Sequence, residues 1–210
     1  MQRLPEMRLS NVWEHNALAY QMGKRFIINQ GGTSSSKTFS ILQLLIIIAI
    51  STTTQLLISV VSESLPHLKR GCIRDFQEIM GDAFEAERWN KTDHLYHFDK
   101  SVVEFFPADD AAKLRGGRRD ILFENECNNL TLRAHDELSV RTRKAIFLDY
   151  NPVSDFWAHE LISHEAGLPE ADRSIKYIHS TYLDAKDYLP AQTVKDIESR
   201  RGRDPNWWRV

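Results

Sequence analysis

The sequence predicts an α/β domain with a mostly parallel central sheet flanked by helices. Two observations carry this. Short, β-branched apolar runs alternate with stretches of helical length, the pattern of strands joined by helical crossovers. The first such run meets a glycine pair and then a long helix without Gly or Pro, which is the strand–loop–helix step of a phosphate loop. Bulk properties agree. At 210 residues, 42% hydrophobic and 27% charged, residues 1–210 read as a single domain able to bury a core of useful size. A net charge of −2 argues against a wholly basic nucleic-acid clamp, so contact with a polyanion must come from local clusters. Two cysteines, Cys72 and Cys127, are too few for a disulfide framework and read as small packed residues. Met1–Ser10 is mixed and polar, unlike a signal peptide. The most apolar run, Ile41–Ile50, is broken by Gln43 and falls short of the roughly 18–20 residues of a membrane span. It reads as a buried helix, in a soluble, cytoplasmic protein with no membrane partner.

The elements follow in order. Arg25–Asn29 is a short β-branched strand ahead of the glycine pair, and Lys37–Ile50 is the helix that leaves it. Gln55–Val61 is a buried strand. Leu65–Phe84 reads as one helical stretch, with Pro66 in its first turn and Leu68, Cys72, Phe76 and Met80 at four-residue spacing. His94–Phe98 and Val102–Phe106, separated by Asp99-Lys100-Ser101, signal a hairpin. Ile121–Phe123 begins a buried strand, Leu130–Leu138 a helix, Ala145–Asp149 a further buried strand, and Phe156–His164 a helix. Ser174–His179 is the last strand and Gln192–Arg201 a charged helix.

The loop Gly31-Gly32-Thr33-Ser34-Ser35-Ser36-Lys37-Thr38 carries the clearest chemistry. Backbone N–H groups in such a loop and at the following helix N-terminus point at phosphate oxygens, and small residues let the backbone approach. Lys37 is placed for β/γ-phosphates and the Thr38 hydroxyl for Mg²⁺, so ATP with Mg²⁺ is the expected ligand. Ser36 stands where the motif has Gly. A left-handed backbone there would cost about 1–2 kcal/mol, and a helical one little. Further on, Arg119–Glu126 runs from apolar residues into Glu124-Asn125-Glu126. A strand of this kind, expected beside the loop, ends in a metal-holding acid followed by a glutamate that orients the attacking water. Asn125 and Glu126 take those positions. Asn125 brings no charge, so metal binding leans on Thr38 and on the nucleotide's own oxygens. Glu124 could supply the missing charge, although strand alternation turns it to the opposite face from Asn125; Glu126 is preferred over Glu124 as the catalytic carboxylate. Arg115, in the glycine-bearing run Leu114–Arg119, is a candidate arginine finger, in cis or on a neighbouring subunit.

Taken together, the loop, the run Asn125–Leu130, and the step Phe147-Leu148-Asp149-Tyr150-Asn151-Pro152 resemble the large terminase subunit of tailed bacteriophages. Leu65–Phe76, Ser180–Asp184 and Asp204–Trp208 resemble further segments of that family, so the likeness runs from Phe26 to Trp208. The resemblance implies the ATPase domain of a DNA-packaging motor, a phosphate-loop NTPase of the additional-strand catalytic-glutamate type. It implies that the glutamate lies on an additional strand between the loop strand and its neighbour, and that Asn151 is the coupling residue that senses the γ-phosphate. Alone, Asn151-Pro152 would be read as a turn. Thr33 stands where the family carries a loop arginine, which shifts weight to Arg115. The implied partners are double-stranded DNA, the portal protein, the small terminase subunit and further copies in a homo-oligomeric ring, a pentamer, at the procapsid portal in the host cytoplasm. The family's second domain, a nuclease, lies outside these 210 residues, which read as a piece of a longer protein. Arg141–Lys144 and Arg200–Arg203 are the basic runs expected near DNA. Two other readings stand beside this one: a nucleotide-binding regulatory or assembly module without efficient turnover, and another phosphate-loop nucleic-acid translocase.

Overall fold

The computed structural model describes residues 3–200. The chain opens with α1 (Asn11–Gln21), then β1 (Phe26–Gly31), α2 (Lys37–Ser51), β2 (Leu56–Ser62), α3 (Leu65–Arg70) and α4 (Cys72–Met80). A meander follows of β3 (Trp89–Asn90), β4 (Leu95–His97) and β5 (Ser101–Pro107), leading through α5 (Ala111–Leu114) to β6 (Arg119–Glu124). The remainder is α6 (Leu132–Ser139), β7 (Thr142–Tyr150), α7 (Trp157–Glu165), β8 (Ile175–Ser180) and α8 (Ala191–Ser199). Among the described residues these strands form one sheet in the order β3-β4-β5-β2-β6-β7-β1-β8. β5, β2, β6, β7, β1 and β8 pair in parallel. Only the β3–β4–β5 edge is antiparallel, as the hairpin signal required.

The continuous apolar character of the central strands is explained by burial on both faces. Successive side chains alternate, so Ile27, Phe105, Phe123 and Phe147 enter one core with Ile41, Leu45 and Phe76 from α2 and α4. Their neighbours Ile28, Phe106, Leu122 and Ile146 enter a second core with Leu130, Leu138 and the flanking Phe156 and Trp157. Cys72 and Cys127 are free and buried. Three expectations change. The stretch Leu65–Phe84 is two helices, because Gly71 takes φ −106° and ψ −106° and breaks the run. α1 was not foreseen: its buried residues are Val12, Asn16, Ala17 and Ala19, too small and polar to make a strong apolar period. The acidic strand β6 does not lie beside the loop strand β1. β7 is inserted between them, so the glutamate follows β6 and the interposed strand carries Asp149 and leads to Asn151.

Candidate nucleotide-binding site

In a parallel sheet the loops at the carboxyl ends of the strands share one edge, and ligands gather there. Here that edge brings together the loop after β1, Asn125-Glu126 after β6 and Asp149 to Asn151 at the end of β7. Register explains the convergence: Asn29 pairs with Asp149 across β1 and β7, and Glu124 with Leu148 across β6 and β7.

The loop is tightly held. A Cβ on Gly31 would sit 2.6 Å from Ser180 Oγ and 2.7 Å from Ser35 Oγ, so no side chain fits. Ser34 and Ser36 are both left-handed, at φ 67° and 63°. Ser36 therefore meets the less favourable of the two expectations, the conformation that costs a non-glycine residue about 1–2 kcal/mol. Its hydroxyl does not cap α2. It joins Ser10 and Ser40 instead, each at 3.3 Å, with Ser10 and Ser40 2.9 Å apart. The N-cap of α1 thus braces the loop, and the first N–H groups of α2 keep their attraction for an anion.

Lys37 is buried, and its Nζ donates to Asn151 Oδ1 at 2.6 Å and to the Gly32 carbonyl at 3.2 Å. Burial lowers its pKa, against the pull of the Asp149 and Glu126 charges. The Thr38 hydroxyl donates to Asp149 Oδ2. Asp149 also accepts from the Glu126 backbone N–H at 2.7 Å and from Asn125 Nδ2 at 3.1 and 3.4 Å. Its carboxyl is fully buried, and burial raises its pKa while Lys37 and these three donors oppose the rise. Because a carboxylate only accepts, Asn125 must present its NH₂ group to it.

Three consecutive positions have three different surroundings. Glu124 is fully buried against His135, whose Nδ1 lies 3.0 and 3.1 Å from its two oxygens. His135 in turn stacks on Trp157 at 4.3 Å. Asn125 faces Asp149. Glu126 takes a left-handed backbone, φ 50° and ψ 51°, and half-exposes its side chain. Its carboxylate accepts from Asn129 Nδ2 at 3.3 Å and lies 3.6 Å from His67 Nδ1 of α3. A strained non-glycine residue at a strand end is the kind of feature that clusters at functional sites.

Some expected residues are not brought together. Arg115 lies before β6, at the opposite end of that strand from the loop, exposed and 3.7 Å from Glu137 Oε1. Six residues of strand separate the two ends, about 20 Å at ~3.3 Å per residue. Arg115 is thus not brought to the loop of its own chain; its partner here is Glu137 of α6. Arg141–Lys144 opens β7 at that same far end, with Arg141 on Glu137 at 3.0 Å and Arg143 3.8 Å from Asp120. Arg201–Arg203 and the Asp204–Trp208 segment lie outside the described residues. Asp149 and His67 were not assigned from sequence. Asp149 had a signal, an acid closing an apolar run; His67 had only its place after the second strand.

The donors suit Mg²⁺ in type, being a hydroxyl and carboxylate oxygens. Among the described residues no group of three or more His, Cys, Asp or Glu could hold an ion, so a cation here would also need phosphate oxygens.

The family model described as phage terminase large subunit matches residues 23–210. Among solved structures, the large terminase of the thermophilic bacteriophage D6E superposes with a TM-score of 0.75 at 13% identity, over 94% of this chain and 51% of that one. The HK97 bacteriophage large terminase gives 0.72 at 11% identity, over 98% and 51%. The ATPase domain of the Thermus phage P74-26 large terminase gives 0.57 at 13% identity, over 96% and 95%. D6E structures in complex with ADP and with ATP-γ-S also match. The chain spans about half the length of the D6E and HK97 proteins, and at these identities the likeness establishes the fold alone. No curated relative matches the chain.

Proposed function

The chain belongs to the phage terminase large subunit family, and from that membership we propose that it is the ATPase part of a motor that drives double-stranded DNA into a viral procapsid. The observation that supports this best is the meeting of Lys37, Asn151, Thr38 and Asp149, with Glu126 beside them, at one edge of the sheet.

ATP lies along Gly31–Thr38, with loop N–H groups and the start of α2 facing its phosphates. Lys37 exchanges its contact with Asn151 for the β/γ-phosphates, so nucleotide binding frees the residue that carries the coupling role. Glu126 polarises the attacking water, and Lys37 stabilises charge spread over the transferring phosphoryl group. Bound Mg²⁺, held by Thr38 with Asn125 close by, supplies further neutralisation of phosphate charge. Asn151 senses loss of the γ-phosphate and relays it through β7. Arg115, exposed at the far end of β6, acts only on a neighbouring copy, which requires a homo-oligomeric ring, a pentamer in this reading. Arg143 and Lys144 are exposed at that same end and can neutralise DNA phosphates. The portal protein and small terminase subunit are the assembly partners, at the procapsid portal in the host cytoplasm. Among the described residues no helix is long and apolar enough to cross a membrane.

The left-handed Ser36 and the uncharged Asn125 favour a second reading, a nucleotide-binding assembly module without turnover. Steady-state ATP hydrolysis separates the two, measured across protein concentrations with and without double-stranded DNA. The motor reading expects hydrolysis that rises with concentration and falls about 10²–10³-fold or more in Lys37→Ala and Glu126→Gln, with Glu126→Gln still binding ATP. Binding without turnover under every condition, in a longer chain as well, would leave only the module.

A further inference from the structure

We propose that the acidic function missing from position 125 is supplied from the neighbouring strand, by Asp149, which takes the carboxylate role of the Mg²⁺ site while Asn125 holds it in place. The inference rests on the reading of the loop as an ATP-Mg²⁺ site and deepens it by naming the residue that provides the charge.

Three carboxylates compete for the role, and the geometry separates them. Glu124 is turned into the opposite core and occupied by His135. Glu126 is half-exposed, on a left-handed backbone, with Asn129 and His67 as its neighbours. Asp149 alone accepts from the hydroxyl of Thr38, the residue whose place in the loop assigns it to the metal. Its second oxygen accepts from the Glu126 backbone N–H and from Asn125 Nδ2. The donor set therefore has a direction. Asn125 and the Glu126 amide grip the carboxylate from the β6 side, and the oxygen bonded to Thr38 faces the loop from the β7 side.

Strand register makes the exchange possible. Phe123 pairs with Phe147 and Glu124 with Leu148, so the next step along both strands sets Asn125 beside Asp149. An acid at either position reaches the same small volume. With the acid on β7, an amide on β6 is the better partner: it donates to the carboxylate, whereas a second acid would repel it. Asn125 is then a complement to Asp149 and not a loss of function. A cation near Thr38 also has a physical use for Asp149, since a buried carboxylate is costly unless opposed by positive charge.

Mn²⁺ binding to the full chain in the presence of ADP tests this, read by electron paramagnetic resonance, alongside metal-free ADP binding by calorimetry. The variants are Asp149→Asn, Asn125→Asp and the double exchange Asn125→Asp/Asp149→Asn. The expected result is Mn²⁺ affinity weakened about 10–100-fold in Asp149→Asn with ADP still bound in the absence of metal, and at least partial recovery of Mn²⁺ affinity in the double exchange. Recovery in the double exchange also shows that the loss in the single variant is not misfolding. Wild-type Mn²⁺ affinity in Asp149→Asn overturns the assignment and leaves the nucleotide reading intact. Failure of wild-type protein to bind ADP at all overturns both.

Discussion

The end of β6 divides two regions of opposite character. On one face Glu124, His135 and Trp157 form a closed set: the carboxylate is fully buried, the imidazole meets it at 3.0 Å and the indole covers the imidazole. On the other face Asn125, Asp149, Thr38 and Lys37 are just as densely bonded, yet their hydroxyl, carboxylate and ammonium stand at the open edge of the sheet beside the loop. Both regions bury a carboxylate. In the first, one partner inside the fold meets it. In the second, a cation and three donors oppose the burial without lowering the pKa to its ordinary value. A buried acid held by one satisfied partner is structural; one whose burial is incompletely opposed next to an anion-binding loop has a reason to meet a cation.

That contrast can be broken by single changes. His135→Leu leaves Glu124 buried without its partner, and removal of one member of such a pair costs about 3–5 kcal/mol. Urea unfolding should show that loss, while ADP affinity of the folded fraction stays within about threefold. A large loss of ADP affinity at unchanged stability would show that the closed face also serves the site. Ser36→Gly acts on the other side. It relieves the left-handed serine and should stabilise the protein by about 1–2 kcal/mol, seen as a higher unfolding midpoint. No gain would mean that the hydroxyl contacts to Ser10 and Ser40 offset the strain.

The smallest effect tests the charge on Asp149 itself. Burial raises its pKa above the unfolded value, so the folded state binds this proton more tightly than the unfolded chain does. Its contribution to stability is full below the unfolded pKa, about 3.9, and is lost as pH rises through the folded value. Asp149→Asn lacks that loss. In nucleotide-free protein the stability difference, variant minus wild type, should grow in the variant's favour as pH rises from about 4. A constant difference across that range would show that the carboxyl is not penalised by its surroundings.

Much of the architecture was written locally. Apolar strand runs separated by helices fixed the α/β class, and the apolar run Phe26–Ile28 followed by Gly31 fixed the strand–loop–helix step. The misreadings have local causes as well. Leu68, Cys72, Phe76 and Met80 keep a four-residue spacing through Gly71, so periodicity alone could not show the break there. α1 buries mostly small residues, Ala17 and Ala19 among them, and leaves little pattern to read. Strand alternation turned Glu124 away from Asn125, and Glu124 does lie on the opposite face, against His135.

The phosphate loop, the acidic strand end and the family resemblance were legible in short stretches of chain, because each depends on neighbours a few residues apart. Tertiary structure alone decided which acid faces Thr38 and which arginine faces away. Thr38 and Asp149 are separated by 111 positions, and they meet because β7 lies between β1 and β6 in the sheet. Arg115 and Glu126 are close in sequence, yet the length of β6 holds them at opposite ends. Strand order and register are set by the packing of two cores, which no short stretch of the chain contains.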